Sequence, residues 1–381
     1  MSEQNICDTP PSVVAAAAEP LQKKQASSAA PVSQCTGQGI SECARAPVDV
    51  GNEGMGTFGS RMLSSDRNVF EYNAWDHVEP DDEHLKYAEE QIRLHHEHPV
   101  PKDKREKYNT QPAAFWDSFY ENNNNKFFKD RHWLRIEFAE LFEWTTSRKS
   151  AEESNSISTI EAIGVDAVCV TASKNGMATE VAIGEKFRIM EVGCGAGNAV
   201  FPLLADIYDP RLFVYACDYS KAAVDVVKSS DTYDESRCSA FVWDLSSTEL
   251  PSQVAPGCID VLLMVFVFSA LHPDQWSQAV ENAYRLLKPG GILLFRDYGR
   301  NDLTQLRFKK SRLLEDNLYI RGDGTRVYFF TNEELATIFG KRFIVRQNAI
   351  DRRLLVNRKR ELKMYRVWLQ AKFCKPINKD N

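Results

Sequence analysis

An α/β fold, in which a mostly parallel β-sheet is covered by helices on both faces, is predicted from residue 187 onward. Five apolar runs rich in β-branched residues are predicted as strands: RIMEV, LFVYAC, SAFVW, IDVLLMVFVF and ILLFRD. Helical stretches separate several of these runs, at residues 197–205, 221–228 and 274–287. Strands that alternate with helices build parallel sheets, because each helix returns the chain to the edge where the next strand begins.

The end of the chain completes a predicted seven-stranded sheet. The segment KPGG, which begins at Lys288, stops the last of these helices before the fifth strand. Two further strands are predicted near residues 342–345 and 365–373. Before them, NLYIRGDGTRVYFF predicts a hairpin, and Thr331 with Glu334 forms a capping box that begins a helix.

Composition divides the chain into four segments. Residues 1–55 predict a disordered tail, because they have too few large apolar residues to offset the entropy of ordering. Residues 56–144 form a helical and aromatic N-terminal extension, with an exposed helix predicted at residues 81–96. A polar stretch at residues 145–186 predicts a flexible insertion. Residues 187–376 form the α/β domain.

The overall composition favours a globular enzyme in a reducing compartment. Hydrophobic residues make up 43% of the 381, which suffices for a core, and no apolar run is long enough to span a membrane. The N-terminus lacks the basic flank and cleavage pattern of a secretory signal. The nine cysteines show neither a CxxC pair nor zinc-type spacing, so no disulfide framework or metal site is predicted. A cytoplasmic or nuclear protein without membrane association is expected.

Charge is distributed unevenly along the chain. The net charge is −6, yet residues 1–110 carry 11 basic against 18 acidic residues, whereas residues 301–381 carry 19 against 9. The C-terminal region is therefore a basic block masked by an acidic N-terminus. Such a block is typical either of a solvated face or of a surface that binds a polyanion.

A glycine-rich turn after the first strand predicts a cofactor site. The segment MEVGCGAGN places Gly193 and Gly195 where the backbone of an α/β protein approaches its ligand. The spacing is GxGxG preceded by Glu191, and the GxGxxG of dinucleotide-binding proteins fails because its last position is Asn198. This spacing favours S-adenosylmethionine over NAD.

Residues after the next strands support the same cofactor. Asp218 follows the second strand, where a carboxylate can accept hydrogen bonds from both ribose hydroxyls. Asp244 follows the third strand and can accept the adenine amine, while Leu245 offers a backbone amide. The fourth strand supplies apolar walls, and Val265 or Phe266 is expected to lie near the adenine. Together these positions predict a Rossmann-like class I S-adenosylmethionine-dependent methyltransferase.

The segment after the fourth strand limits the chemistry of the methyl acceptor. Enzymes that methylate an exocyclic amine usually place a (D/N)PP(Y/F) motif there, and this chain has FSALHP. Carbon-5 methylation of a pyrimidine needs a Cys nucleophile, and its signature is absent. A ring nitrogen with a lone pair requires neither feature, because no proton is removed and no covalent adduct forms.

Eight motifs carry a resemblance to a known family. They are FWDSFY, NKFFKDRHWL, MEVGCGAGN, ACDYS, FVWDL, VFVFSALHP, LKPGGILLFRDYG and DGTRVYFFT. From about residue 58 to residue 373, outside the insertion, the chain resembles the eukaryotic tRNA (cytidine-32-N3)-methyltransferases of the methyltransferase-like group. The resemblance implies formation of 3-methylcytidine in the anticodon loop. The stretch FGSRMLSSDRNVFEYNAWDHVE is similar to the branch that acts on threonine and arginine tRNAs.

The resemblance also implies roles for particular residues and partners. Trp116 and Tyr120 are expected to cap the cofactor from the N-terminal extension. The expected partner is the tRNA anticodon arm. A tRNA-binding helper protein, such as an aminoacyl-tRNA synthetase or a deaminase, is a further expected partner.

Substrate residues are predicted on both sides of the glycine turn. Motif FFKDRHW offers Phe128, Lys129, Arg131 and His132 to stack a flipped base and to hold its phosphates. Of these, Arg131 and His132 are predicted to be catalytic together with Asp297. Phe127 and Trp133 are as easily explained as core residues. Asp297, in FRDYG, can stabilise the positive charge that N3-methylation places on the ring. Its structural alternative is an ion pair with Arg296 or Arg300.

The basic block is predicted to neutralise tRNA phosphates. Its proposed contacts are Arg307, Lys309, Lys310, Arg312, Arg321 and Arg326, with a second cluster at Arg352, Arg353, Arg358, Lys359 and Arg360. Two other functions remain open from the sequence. One is a methyltransferase of the same fold that acts on a protein or a small molecule, and the other is a non-catalytic tRNA-binding subunit.

Overall fold

A computed structural model describes residues 61–145, 168–171, 179–182 and 185–377 of the chain. The predicted tail at residues 1–55 lies outside the described residues. Most of the predicted insertion at residues 145–186 also lies outside them, and the described part of it includes one antiparallel strand pair.

The N-terminal extension consists of a short strand followed by five helices. They are β1 (Ala74–Asp76), α1 (Asp82–Glu97), α2 (Lys102–Thr110), α3 (Pro112–Asn123), α4 (Leu134–Glu137) and α5 (Glu140–Glu143). Helix α1 is the predicted exposed helix, and the Asp81 side chain caps it by accepting the N–H of His84. Helix α3 has Pro112 in its first turn, where the missing N–H would have no helical partner. The motif FWDSFY therefore lies on a helix.

The predicted alternation of strands and helices is confirmed in the α/β domain. After the insertion pair β2 (Val168–Thr171) and β3 (Thr179–Ala182), the elements are β4 (Phe187–Val192), α6 (Val200–Asp206), β5 (Leu212–Asp218), α7 (Lys221–Lys228), β6 (Cys238–Val242), β7 (Ile259–Val265), α8 (Trp276–Leu286) and β8 (Leu287–Tyr298). The five strands from β4 to β8 pair in parallel in the order β8-β7-β4-β5-β6. Their carboxyl ends therefore meet at one edge, which is called the carboxyl edge below.

A small sheet and two helices follow β8. They are α9 (Leu303–Leu306), β9 (Leu313–Glu315), β10 (Leu318–Ile320), β11 (Arg326–Tyr328) and α10 (Asn332–Phe339). The predicted hairpin is confirmed, because β10 pairs antiparallel with β11. The capping box is also confirmed, because Thr331 and Glu334 each accept the backbone N–H of the other.

The main sheet has eight strands, one more than the seven predicted. Strands β12 (Ile344–Asn357) and β13 (Leu362–Cys374) complete it, with β13 antiparallel between β8 and β12 and with β1 added outside β12. Both late strands are longer than predicted. Strand β8 ends at Tyr298, opposite Trp368, so the β12–β13 hairpin continues beyond the carboxyl edge.

Apolar side chains cover both faces of the sheet, as expected for parallel strands. Neighbouring residues of one strand join different clusters, with Met190 and Leu262 in one and Ile189 and Leu263 in the other. Within residues 61–145, 168–171, 179–182 and 185–377, no helix is long and apolar enough to cross a membrane.

Candidate cofactor and substrate site

The predicted glycine turn lies at the carboxyl edge, between β4 and α6. Gly193 has φ +66° and Gly195 has φ +55°, a left-handed conformation that side chains disfavour. A Cβ added to Gly193 would lie 2.4 Å from Val267 Cγ2, and one added to Gly195 would lie 2.4 Å from the Tyr120 hydroxyl oxygen. Both positions therefore require glycine for conformation and for space.

Asp218 lies at the end of β5 and fixes the turn. Its Oδ2 accepts the N–H of Gly195 at 2.9 Å, and its Oδ1 accepts the N–H of Ser220 at 2.9 Å. Burial raises the pKa of Asp218 to about 6, and these hydrogen bonds act in the opposite direction. Each carboxylate oxygen retains a further lone pair, so the side chain can still receive ribose hydroxyls. The structural role in the turn was not visible from the sequence.

The remaining predicted cofactor residues converge on the same edge. The N–H of Trp243 donates to the Asp218 carbonyl at 2.9 Å, which brings the loop after β6 beside the turn. In that loop Asp244 is half-buried and Leu245 is buried. Val265 is buried at the end of β7. The four strand ends therefore bring the predicted residues together.

Helix α3 covers the turn with two aromatic side chains. The rings of Trp116 and Tyr120, one helical turn apart, are stacked with centroids 6.1 Å apart. Tyr120 is buried, and its hydroxyl lies over Gly195. Burial raises the pKa of Tyr120 well above its ordinary value. The structure therefore places both predicted capping residues against the cofactor turn.

Asp117, which sequence reasoning missed, attaches α3 to the α/β domain. Its Oδ1 accepts the Ser220 hydroxyl at 2.7 Å and the Ala222 N–H at 3.2 Å. Ser220 is itself the N-cap of α7. The only sequence signal was an acidic residue within the aromatic motif FWDSFY, and its partner lies 103 residues away.

Arg131 joins the FFKDRHW loop to the cofactor turn. Its backbone N–H donates to the Asn198 carbonyl at 2.7 Å, and its Nη1 donates to Glu191 Oε1 at 2.9 Å. Glu191 is fully buried, and burial raises its pKa to about 7 while Arg131 opposes that rise. Arg131 is therefore oriented by a carboxylate of the strand that leads into the turn.

The other predicted residues of this loop differ in exposure. Phe128, Lys129 and His132 are exposed. Phe127 packs against Phe119, with ring centroids 4.9 Å apart, and Trp133 packs against an apolar cluster of the α/β domain. The core interpretation thus fits Phe127 and Trp133, while Phe128, Lys129 and His132 remain accessible to a substrate.

Asp297 is fully buried at the end of β8, and its carboxylate is held by backbone groups. It accepts the N–H of Ser269 and the N–H of Tyr298, both at 2.9 Å. Burial raises the pKa of Asp297 to about 6. The alternative of an ion pair within FRDYGR is wrong, because Arg296 pairs with Asp351 and Arg300 pairs with Glu334.

Phe266, the predicted alternative to Val265 beside the adenine, has a strained backbone at the carboxyl edge. It follows β7 with φ +58°, which is unfavourable for an aromatic residue, and its N–H donates to the Arg296 carbonyl at 2.8 Å. Its ring lies 4.9 Å from that of Tyr298. The Arg321 guanidinium lies 5.5 Å from the centre of the Tyr298 ring. No feature of the sequence marks this conformation.

The basic block separates into exposed and buried side chains. Arg307 is exposed and Arg321 is half-buried. Arg326 is buried and donates to the Ala270 carbonyl and to Gln275 Oε1, both at 3.2 Å. This burial corrects the prediction that Arg326 binds a tRNA phosphate.

The second predicted cluster also divides. Arg352 pairs with Glu79 at 3.1 Å, and Arg353 pairs with Glu137 at 3.5 Å. These two side chains are therefore engaged within the protein. The exposed remainder lies at the tip of the β12–β13 hairpin, beyond the carboxyl edge: Arg358, Lys359 and Arg360.

Comparison with known proteins gives one family-model match and several close relatives. A model described as a methyltransferase domain matches residues 190–293. The tRNA N(3)-methylcytidine methyltransferase trm140 of Schizosaccharomyces pombe is 49% identical over 319 residues, which cover 84% of this chain and 92% of the relative. The tRNA N(3)-cytidine methyltransferase METTL2B of Homo sapiens is 42% identical, with 84% and 94% covered.

A Saccharomyces cerevisiae relative is longer than this chain. The tRNA(Thr) (cytosine(32)-N(3))-methyltransferase of that yeast is 46% identical over 323 residues, which cover 84% of this chain and 46% of the relative. This chain therefore spans about half the length of that relative.

Proposed function

The chain belongs to the tRNA N(3)-cytidine methyltransferase family, and we propose that it transfers the methyl group of S-adenosylmethionine to N3 of cytidine 32 in the tRNA anticodon loop. The observation that carries the proposal is the placement of two charged side chains at the carboxyl edge. Arg131 is oriented by Glu191 of β4, which leads into the glycine turn, and Asp297 is buried at the end of β8, two strands away. Threonine tRNA is the proposed main substrate, with arginine tRNA as another, because one relative is named for tRNA(Thr).

The residues at the carboxyl edge fit S-adenosylmethionine. The glycine turn leaves a cradle that a Cβ at Gly193 or Gly195 would fill. Both hydrogen bonds that Asp244 receives from Ser246 fall on Oδ1, and we propose that its Oδ2 accepts the adenine amine. Asp218 offers its remaining lone pairs to the ribose hydroxyls. Trp116, stacked on Tyr120, is proposed to cover the open side.

The proposed chemistry requires alignment and charge stabilisation. When bound, S-adenosylmethionine supplies an electrophilic methyl group that the cytosine N3 lone pair attacks in line with the departing sulfur. No base is needed, because N3 carries no proton. The Asp297 carboxylate accepts a hydrogen bond from the exocyclic amine and stabilises the positive charge of the methylated ring.

The exposed residues of the FFKDRHW loop are proposed to hold the flipped nucleotide. Phe128 presents a partly exposed ring on which the base can stack. Lys129 and His132 contact its phosphates, and Arg131, which is half-buried and paired with Glu191, is proposed to act at the reacting base. Arg307 and Arg321 bind the adjoining backbone, which gives affinity without sequence choice.

We also propose that the enzyme is cytoplasmic and that it acts with a tRNA-binding helper protein. An aminoacyl-tRNA synthetase or a deaminase would supply contacts to the tRNA body. The family resemblance supports this part of the proposal. Addition of the helper should lower the KM for tRNA, and an equal KM with and without it would argue against the requirement.

Two measurements test the proposed function. Mass spectrometry of tRNA nucleosides after deletion of the gene should show loss of 3-methylcytidine from threonine tRNA, and an unchanged level would overturn the acceptor. Calorimetry of the purified protein should show binding of S-adenosylmethionine. Absence of binding would favour a non-catalytic tRNA-binding subunit.

A further inference from the structure

The N-terminal extension contains a basic and aromatic pocket away from the crevice. It is an open surface depression with a volume of about 480 Å³. The described residues that line it are Arg61, Met62, Ser64, Arg67 and Tyr72. None of these residues contributes to the cofactor turn or to the FFKDRHW loop. The pocket is called the Tyr72 pocket below.

Hydrogen bonds hold the Tyr72 pocket against β1, the outermost strand of the main sheet. The N–H of Asp76 donates to the Arg61 carbonyl at 2.8 Å, and the N–H of Arg61 donates to Asp76 Oδ2 at 3.1 Å. Trp75 is fully buried beneath the pocket, and its Nε1 donates to the Val69 carbonyl at 2.7 Å. The lining residues thus lie in the irregular segment before β1, and these hydrogen bonds hold that segment against the strand.

The side chains of the pocket combine cations with exposed apolar surface. The Arg61 guanidinium lies 4.7 Å from the centre of the Tyr72 ring, and the Arg67 guanidinium lies 5.9 Å from that of Trp75. Tyr72 is 37% exposed and Met62 is 49% exposed. The acidic neighbours of the pocket include the exposed Asp66, whose pKa Ser64 and Arg67 lower, and Asp76, whose Oδ2 accepts the Arg61 N–H. Guanidinium groups beside an exposed aromatic ring suit a phosphate and a stacked base.

The position of the pocket relates it to the proposed substrate. Strand β1 pairs with Arg353–Leu355 of β12, which lie beyond the row that contains Asp351, Trp368 and Tyr298. With strands about 4.8 Å apart and residues about 3.4 Å apart, strand β1 beside the pocket is about 14 Å sideways from Asp297 and about 10 to 17 Å beyond it. A stacked nucleotide step is about 3.4 Å, so the two sites cannot hold the same nucleotide.

The exposed tip of the β12–β13 hairpin lies close to the Tyr72 pocket. The N–H of Val356 donates to the Asn73 carbonyl at 2.7 Å, which ties the hairpin to the pocket. The basic tip residues begin two positions later, at Arg358. A polyanion bound in the crevice would therefore run along both features.

We propose that the Tyr72 pocket binds a second, unpaired nucleotide of the anticodon loop, with its phosphate between Arg61 and Arg67 and its base on Tyr72. The inference rests on the proposed function. An unpaired base is required because a ring at the surface can stack only on a base that has left its own stack. The pocket thereby measures the distance from the methylated cytidine to a second nucleotide of the loop.

Steady-state kinetics with the intact protein and threonine tRNA test this assignment. Tyr72→Ala should raise the KM for tRNA about 10-fold, with kcat and the affinity for S-adenosylmethionine unchanged, because base stacking on an aromatic ring contributes about 1–3 kcal/mol. Tyr72→Phe should behave as wild type. Arg67→Gln should raise KM and reduce by about one the slope of log affinity against log salt.

The matched control is Arg342→Gln, which removes the same charge just before β12, at the end of the sheet opposite the carboxyl edge. Arg342 is about half exposed and pairs with Glu281 at 2.6 Å, so its removal should leave KM and the salt slope unchanged. If the three variants Tyr72→Ala, Arg67→Gln and Arg342→Gln have the same KM as wild type, the pocket does not bind the loop. Failure of wild-type protein to methylate any tRNA would instead refute the proposed function.

A double-mutant cycle, in which a protein variant is combined with modified RNA, identifies the nucleotide that the Tyr72 pocket binds. Abasic substitutions are introduced one at a time in the anticodon loop, outside position 32, and affinity is measured with wild-type protein and with Tyr72→Ala. At one position the abasic RNA should lose about 10-fold in affinity with wild type and nothing further with Tyr72→Ala. Additive losses at every position would overturn the proposal.

Discussion

The cofactor half and the substrate half of the site are built in different ways. In the cofactor half, the backbone N–H of Gly195 donates to the buried carboxylate of Asp218, and this bond fixes both the turn and the side chain. In the substrate half, the contacts proposed for Phe128, Lys129 and His132 are made by exposed side chains on a loop. One half is specified by backbone geometry and the other by which side chains reach the surface.

This difference teaches which features of a methyltransferase site a sequence can reveal. Spacing of glycines and acids encodes local conformation, because strand ends and turns place those residues within a few positions of one another. Exposure of a charged side chain is decided by distant parts of the chain. Arg307 and Arg326 are alike in the sequence, yet the first is exposed and the second is buried.

The largest expected effect comes from Asp297, the buried residue at the junction of the two halves. Asp297→Asn should lower the rate constant of methyl transfer, measured in single-turnover reactions with tRNA, about 100- to 1000-fold. The reason is that a carboxylate opposite the developing charge is lost. Affinity for S-adenosylmethionine, measured by calorimetry, should remain unchanged. An equal loss of cofactor affinity would show that Asp297 belongs to the cofactor half, and thermal unfolding controls for global damage.

Gly195→Ala tests whether the cofactor half depends on backbone geometry. The substitution forces a side chain into φ +55° and places its Cβ 2.4 Å from the Tyr120 hydroxyl oxygen. We expect the Kd for S-adenosylmethionine to rise about 10-fold or more, from left-handed strain of about 1–2 kcal/mol. The matched control is Gly257→Ala, which has φ +67° and no neighbouring atom within 4 Å.

The control separates strain from the loss of space at the turn. Gly257→Ala should lower Tm while leaving the affinity for S-adenosylmethionine unchanged. The double variant Gly195→Ala with Tyr120→Phe should recover part of the lost affinity, because the clashing hydroxyl is removed. No recovery, together with weaker binding by Gly257→Ala, would mean that strain alone explains the effect.

The pH dependence of methylation offers a further test of Asp297. Burial raises its pKa to about 6, and the carboxylate is the form that stabilises a cationic ring. The kcat at saturating substrates should therefore be constant above about pH 7 and should fall up to about 10-fold per pH unit below 6. Asp297→Asn should abolish this acid limb, and its persistence would assign the titration to another group.

Cofactor affinity must be measured over the same pH range. Burial raises the pKa of Asp218 to about 6 and that of Glu191 to about 7, so both groups change charge in this window. Saturation with S-adenosylmethionine at each pH keeps their effect on binding out of kcat.

Much of the fold was predictable because its strands are short, apolar and locally bounded. The run RIMEV and the turn after it define β4 and the start of the site without reference to other segments. Strand β1 was missed, because AWD carries no strand pattern and pairs with β12 nearly 280 residues later. The length of β12 was missed as well, because Arg352 and Arg353 are charged and their partners Glu79 and Glu137 lie in the N-terminal extension.

The site was predictable to the extent that its residues are positioned by their own strand or turn. Gly193, Asp218 and Asp244 lie at the expected edge for that reason. Asp117 was not predictable, because it acts through Ser220, which the fold brings to it from the second strand end. For Phe266 the position near the adenine was predicted as an alternative to Val265, but its positive φ was not, because its N–H bonds to the Arg296 carbonyl of the neighbouring strand.

The smallest expected effect separates two arginines of the basic block. Arg307→Gln should reduce by about one the slope of log tRNA affinity against log salt and leave Tm unchanged, because an exposed phosphate contact is lost. Arg326→Gln should leave the slope unchanged and lower Tm, because it disrupts buried hydrogen bonds to the Ala270 carbonyl and Gln275, at a cost of about 1–3 kcal/mol. If Arg326→Gln reduces the slope as Arg307→Gln does, the buried guanidinium must reach the RNA when tRNA binds.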